Sequence, residues 1–136
     1  MPATQFLFVN EESHHLIGMV QVRHELNDFL AEYGGHIGYS IRPRERRKGY
    51  RTAQLRAALP FCRSIGLDDI LITCLRDNTG SERMIRACGG VYESTVTLHD
   101  KKQGDLFLKR FWIRQPDQLP TFLRLPEWTI SMRTQE

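Results

Sequence analysis

The chain has 136 residues, 40% of them hydrophobic and 26% charged, with a net charge of +3. That length suits one domain with a core of its own, and the balance is that of an ordinary globular protein and not of a disordered or low-complexity one. No apolar run approaches the ~20 residues that a membrane-crossing helix needs, and MPATQFLFVNEE has no basic region followed by an apolar core, so neither a membrane span nor a secretory signal is expected.

Phe6 to Val9 is a short apolar run closed by Asn10-Glu-Glu-Ser13, which predicts a strand and a turn. Leu16 to Val22 reads as a second strand. Arg23 to Tyr33 predicts a loop with a helical turn, because Leu26, Phe29 and Leu30 fall at i, i+3 and i+4. Gly34-Gly35 breaks it, and His36 to Ile41 reads as a third strand, ended by Pro43.

From Arg51 to Ile65 the period becomes helical, with Leu55, Ala58, Leu59 and Cys62 on one stripe. Pro60 inside that stripe predicts a kink or an early end. Ile70 to Leu75 is a continuous apolar run, as expected of a strand buried on both faces. Thr79-Gly-Ser-Glu82 fits a capping box, with Thr79 as the cap, ahead of a short helix that carries Met84, Ile85 and Cys88 inward. Val91 to Leu98 and Leu106 to Ile113 predict a hairpin around DKKQGD. Beyond Ile113 three prolines argue against regular structure, so 114–136 is expected to be a tail. The order of strands and helices predicts an α/β fold with a mixed sheet. Cys62, Cys74 and Cys88 are odd in number and form no CxxC pair. A disulfide framework or a metal site is therefore not expected, and reduced thiols of a cytoplasmic protein are the better reading.

Arg42, Arg44, Arg46, Arg47, Lys48 and Arg51 concentrate the positive charge in the turn between the third strand and the first helix. Three readings are open. A basic turn can be a solvated surface loop. It can hold a phosphate, since helix N-termini present unpaired N–H groups and Gly49 would let the backbone approach closely. Or it can bind nucleic acid, although the aromatic platforms and groove-entering helix of such sites are missing. A P-loop is excluded, because GxxxxGK[ST] does not occur.

GYSIRPRERRKGYRTAQLRAAL followed by ILITCLRDNTGSERMIRACGG resembles the GNAT superfamily of N-acetyltransferases, particularly small bacterial members with RHELND and GGHIGY ahead of the basic turn. The family signature (Q/R)-x-x-G-x-(G/A) is met by Arg46-Arg-Lys-Gly49-Tyr-Arg51, except that Arg51 stands where glycine or alanine is usual. The resemblance covers roughly Phe6 to Ile113 and implies a GNAT-like domain over 1–113, with a mostly antiparallel mixed sheet, splayed parallel central strands and flanking helices. It implies acetyl-CoA as acyl donor, without a metal, held by the turn amides of Arg46, Arg47, Lys48, Gly49, Tyr50, Arg51 and Thr52. The pantetheine arm would lie between the strand ending at Ile41-Arg42 and the strand Ile70 to Leu75, with Asn78 and Ser81 as further contacts. Asn78 and Ser81 can equally be helix-opening residues.

The implied reaction is transfer of an acetyl group to a primary amine. Family enzymes often place a glutamate early on the splayed strand. Here His36 lies within about one residue of that place, and a neutral histidine suits a base near pH 7; a structural hydrogen bond is the alternative. Glu25 and His24 are further candidates, and a backbone N–H near Ile41 would receive the oxyanion. The family's tyrosine acid, seven residues after the asparagine, is replaced by Ile85, leaving Tyr39, Tyr50 or water. The family also opens with a strand and two helices, whereas five residues precede Phe6 here. That predicts either a shortened chain or a homodimer covering an exposed apolar face. The alternatives to an enzyme are a non-catalytic module that binds acyl-CoA or a protein partner, and a nucleic-acid binder.

Overall fold

The computed structural model describes residues 3–10, 12–42 and 49–114, together with the backbone of 130–135. In chain order the elements are β1 (Ala3–Asn10), β2 (Leu16–Arg23), a π-helical turn (Leu30–Gly34), β3 (Ile37–Ile41), α1 (Tyr50–Ser64), β4 (Asp69–Leu75), α2 (Thr79–Ala87), β5 (Gly90–Asp100), β6 (Gly104–Arg114) and β7 (Ile130–Gln135). The strands form two antiparallel sheets, ordered β3-β2-β1-β7 and β4-β6-β5. Alternation decides which face each strand buries. Phe6 and Phe8 of β1 and Val20 and Val22 of β2 turn inward, joined by Ile17. Ile70, Leu71 and Ile72 are fully buried, so β4 has the two-faced burial that its sequence predicts.

Helix α1 lays Leu55, Ala58, Leu59 and Cys62 into this core and does not end or break at Pro60. Pro60 is exposed, so its ring meets solvent and only one helical hydrogen bond is lost. Burying Leu55 and Leu59, at roughly 2 kcal/mol each, offsets the ~3 kcal/mol that a proline costs in a helix interior. A second expectation is also corrected. Asn78, not Thr79, caps α2, its Oδ1 accepting from the Ser81 N–H at 3.1 Å. Glu82 does not reach back. Its carboxylate takes Arg86 Nε at 2.9 Å and Lys109 Nζ at 2.7 Å, two full charges in place of one backbone N–H.

The expected tail does not stay irregular. Its prolines all lie in 115–129, outside the described residues, and Ile130–Gln135 then pairs with β1 as an antiparallel strand. The outer face of the β1–β2–β3 sheet carries Gln5, Gln21, Gly38 and Ser40 beside Met19. No described helix is long and apolar enough to cross a membrane.

Candidate functional site

The site begins where the two sheets part. In the β2–β3 ladder the Arg23 N–H donates to the His36 carbonyl, and the Arg42 N–H to the Ile17 carbonyl, both at 2.7 Å. Those bonds fix which residues of β3 face β2. By the alternation of an antiparallel ladder, Ile37, Tyr39 and Ile41 turn their N–H and C=O groups the other way, toward β4. Yet β3 is the edge of its sheet and β4 belongs to the other. The pair meets at one point, where the His36 N–H donates to the Leu71 carbonyl at 2.7 Å and the Leu71 N–H donates to His36 Nδ1 at 2.9 Å. Past this clasp the strands run on in the same sense: Tyr39 and Cys74 line one cleft, and Ile41 and Asn78 line the next. The amides of Tyr39 and Ile41 thus face a gap with no ladder partner across it among the described residues.

Two cavities share this gap. The inner one, of about 330 Å³, is lined by Arg23, Gly38, Tyr39, Thr73, Cys74 and Ser81, among others. The outer one, of about 870 Å³, is bordered by Ile41, by the first turn of α1 and by the first turn of α2. Gly49, the N-cap of α1, has φ 81° and offers no side-chain cap, and the positive end of the α1 dipole meets the outer cavity at Arg51 and Thr52. A Cβ at Gly49 would meet nothing within 4 Å among the described residues.

Arg51 stands at the position where the signature departs from its usual glycine or alanine. Its side chain reaches across to α2, where Nη1 would lie 2.5 Å from a Cβ placed on Gly80. Gly80 thus makes room for the guanidinium, and Arg51 joins Arg83 as a cation in the wall of the outer cavity. The pattern of side chains and amides there suits a polyanion such as a pyrophosphate.

The other anticipated residues separate clearly. Gly49, Arg51, Thr52, Asn78 and Ile41 line the outer cavity, and Tyr39 and Ser81 line the inner one. Arg46, Arg47 and Lys48 lie outside the described residues. Arg42 is exposed, and the Tyr50 side chain packs into the core. Glu25 is exposed and borders neither cavity, while His24 is bonded to Thr4 Oγ1 at 2.8 Å. His36 is buried, and burial pulls its pKa below the ordinary histidine value. Because Nδ1 accepts from a backbone N–H, the neutral ring carries its proton on Nε2. Its basic lone pair is engaged by the Leu71 amide, which makes it a strut between the sheets and unsuits it as a base.

Burial raises the pKa of Tyr39 and keeps it protonated, against a smaller opposing pull from its hydrogen bond to the buried Ser81. Burial pushes the Cys62 thiol up to about 12 and the Cys88 thiol up to about 11, and it raises Cys74 as well. These are core thiols and not nucleophiles. Among the described residues no cluster of His, Cys, Asp and Glu is placed to hold a metal. The sequence gives no sign of Arg23, Gly38 or Gly80 as site residues, since each matters through a contact with a distant segment.

A splayed edge strand that opens onto two helix N-termini is the architecture of an acyltransferase of the GNAT kind. The family model for the acetyltransferase (GNAT) domain matches residues 2–91, and the chain belongs to that family. Among solved structures it is similar to mutant forms of the spermidine/spermine N-acetyltransferase SpeG of Vibrio cholerae, with 21% identity and a TM-score of 0.67 over 83% of this chain and 67% of that one. It is equally similar to a GNAT-family acetyltransferase of Bacillus anthracis, with 22% identity and a TM-score of 0.66 over 81% of this chain and 65% of that one. At these identities the likeness is one of fold, and the chain spans about two thirds of the length of the structures it matches. No curated protein matches the sequence.

Proposed function

We propose that the protein transfers an acetyl group from acetyl-CoA to a primary amine. One observation carries this reading: the amides of Tyr39 and Ile41 face a gap that opens onto the first turn of α1, which no side chain of its N-cap covers. The residues present fit the donor. Gly49 sets no side chain over the N-terminus of α1, and Arg51 and Arg83 supply positive charge. Asn78 borders both cavities and offers its side-chain N–H₂, its Oδ1 being taken up by the cap. When bound, acetyl-CoA supplies the acetyl group as an activated thioester.

The chain's own groups then divide the work. The N–H of Ile41 is turned into the gap and can receive a carbonyl oxygen whose negative charge grows as the amine adds, a role of the oxyanion-hole type. Tyr39, kept protonated by burial and oriented by Ser81, is the proton donor available to the departing sulfur. The incoming amine loses its proton to water, since no carboxylate or free imidazole stands among the described residues lining the inner cavity.

That last observation favours a second reading, a module that binds acyl-CoA without turning it over. Thiol release from acetyl-CoA across a panel of primary amines separates the two. Release that depends on the amine and falls ~10²-fold in Tyr39→Phe supports the enzyme. Tight binding with no release under any amine supports the module.

A further inference from the structure

Arg23 closes the inner cavity at the end where β3 and β4 meet. It is the last residue of β2, half-buried, and its Nη1 donates to the carbonyls of Gly34 and Gly35, each at 3.1 Å. Those carbonyls fix the guanidinium without neutralising it. Among the described residues no carboxylate pairs with Arg23, and burial alone draws its pKa down. The other edge of the fork lies over Gly38, where a Cβ would sit 2.9 Å from Nη2. Gly38 therefore keeps that edge uncovered, and the guanidinium shares the cavity with Tyr39, Cys74 and Ser81. No Asp or Glu is among the described residues of its wall.

A partly buried cation that has given up hydration without gaining an anion is costly. A braced guanidinium with a free edge is also the group whose geometry matches a carboxylate. We infer that the inner cavity receives a carboxylate at Arg23. It is carried either by an α-amino acid acceptor or by the far end of a dicarboxylic acyl chain. The same charge repels a polyamine, so this cleft departs from the polyamine substrates in the names of its structural neighbours. The inference rests on the acyl-transfer reading of the cleft and narrows its substrate.

The test measures thiol release from acetyl-CoA and from succinyl-CoA, each with alanine, alaninamide and spermidine. Alanine used at a KM ~10-fold or more below that of alaninamide places the carboxylate on the acceptor. Succinyl-CoA preferred over acetyl-CoA by a similar factor, with alaninamide as acceptor, places it on the acyl chain. In either case Arg23→Gln raises KM for the carboxylate-bearing partner ~10- to 100-fold and leaves its neutral counterpart unchanged.

Equal use of the charged and neutral partners, a preference for spermidine, or selectivity that survives Arg23→Gln would each overturn the inference. Because Arg23 also braces Gly34 and Gly35, Gly38→Ala is the second variant. It sets a methyl against Nη2, keeps the arginine that braces Gly34 and Gly35, and should produce the same selective rise in KM. If no pair releases thiol, the acyl-transfer reading fails, and calorimetry with N-acetylalanine and with succinate decides the Arg23 site. Binding that Gly38→Ala weakens upholds the site; no binding to the wild type overturns it.

Discussion

His36→Ala would remove the clasp between the two sheets. The loss leaves the Leu71 N–H without its acceptor in a residue that is fully buried. An orphaned buried donor costs about 1–3 kcal/mol, and the space left by the imidazole adds about 1 kcal/mol. Urea denaturation should therefore show the alanine variant about 2–4 kcal/mol less stable than wild type. His36→Asn separates the two contributions, because Asn Oδ1 sits near the place of Nδ1 and can accept the same N–H. It should recover about half of the loss or more.

The pH dependence gives an independent check. Burial lowers the folded-state pKa of His36 below the unfolded value of ~6.5. The unfolded chain therefore binds the proton first as pH falls. The stability contributed by the neutral ring is full above ~6.5 and drains away as pH falls from there through the lowered folded value. His36→Asn should flatten that part of the curve. Equal destabilisation by Ala and Asn, or a pH slope that survives in Asn, would refute the clasp.

Asn78→Ala removes the α2 cap and should cost about 1 kcal/mol, seen as a lower Tm without loss of the folded state. Gly18→Ala should be far more damaging, because its Cβ would lie 2.3 Å from the Ser40 carbonyl oxygen and 2.5 Å from Gln54 Oε1. A loss of more than ~2 kcal/mol in urea is expected, and a neutral effect would mean that β2, β3 and α1 are packed more loosely than described. Gly80→Ala should leave the fold intact but displace the Arg51 guanidinium, weakening acetyl-CoA binding ~3- to 10-fold by calorimetry. Cys62 and Cys88 should resist a thiol reagent at pH 8 until the chain is unfolded, given thiols held near 12 and 11.

Much of this fold is legible in the sequence because periodicity and burial agree. The alternation around Phe6 and Phe8, the run from Ile70 to Ile72 and the stripe from Leu55 to Cys62 all place their side chains as expected. The turn at Gly49 is legible as well, since a lone glycine between a strand and a helix has few other uses. What stays hidden depends on pairs far apart in the chain. Pro60 looks like a helix breaker until the burial around it is weighed. His36 looks like a base until Leu71, 35 residues on, takes its lone pair. Arg51 looks out of place where the signature usually has glycine or alanine until Gly80 is seen to make room for it. The strand Ile130–Gln135 is masked by the prolines before it, and its partner β1 lies at the other end of the chain.

The most direct test of the central claim is calorimetry of the protein with acetyl-CoA, in the wild type and in Gly49→Val. The cavity at the two helix N-termini should give saturable one-to-one binding in the wild type. Valine at φ 81° should strain the turn and cover the α1 amides, weakening that binding ~10-fold or more. No heat at millimolar acetyl-CoA, or equal affinity in both proteins, would contradict the account.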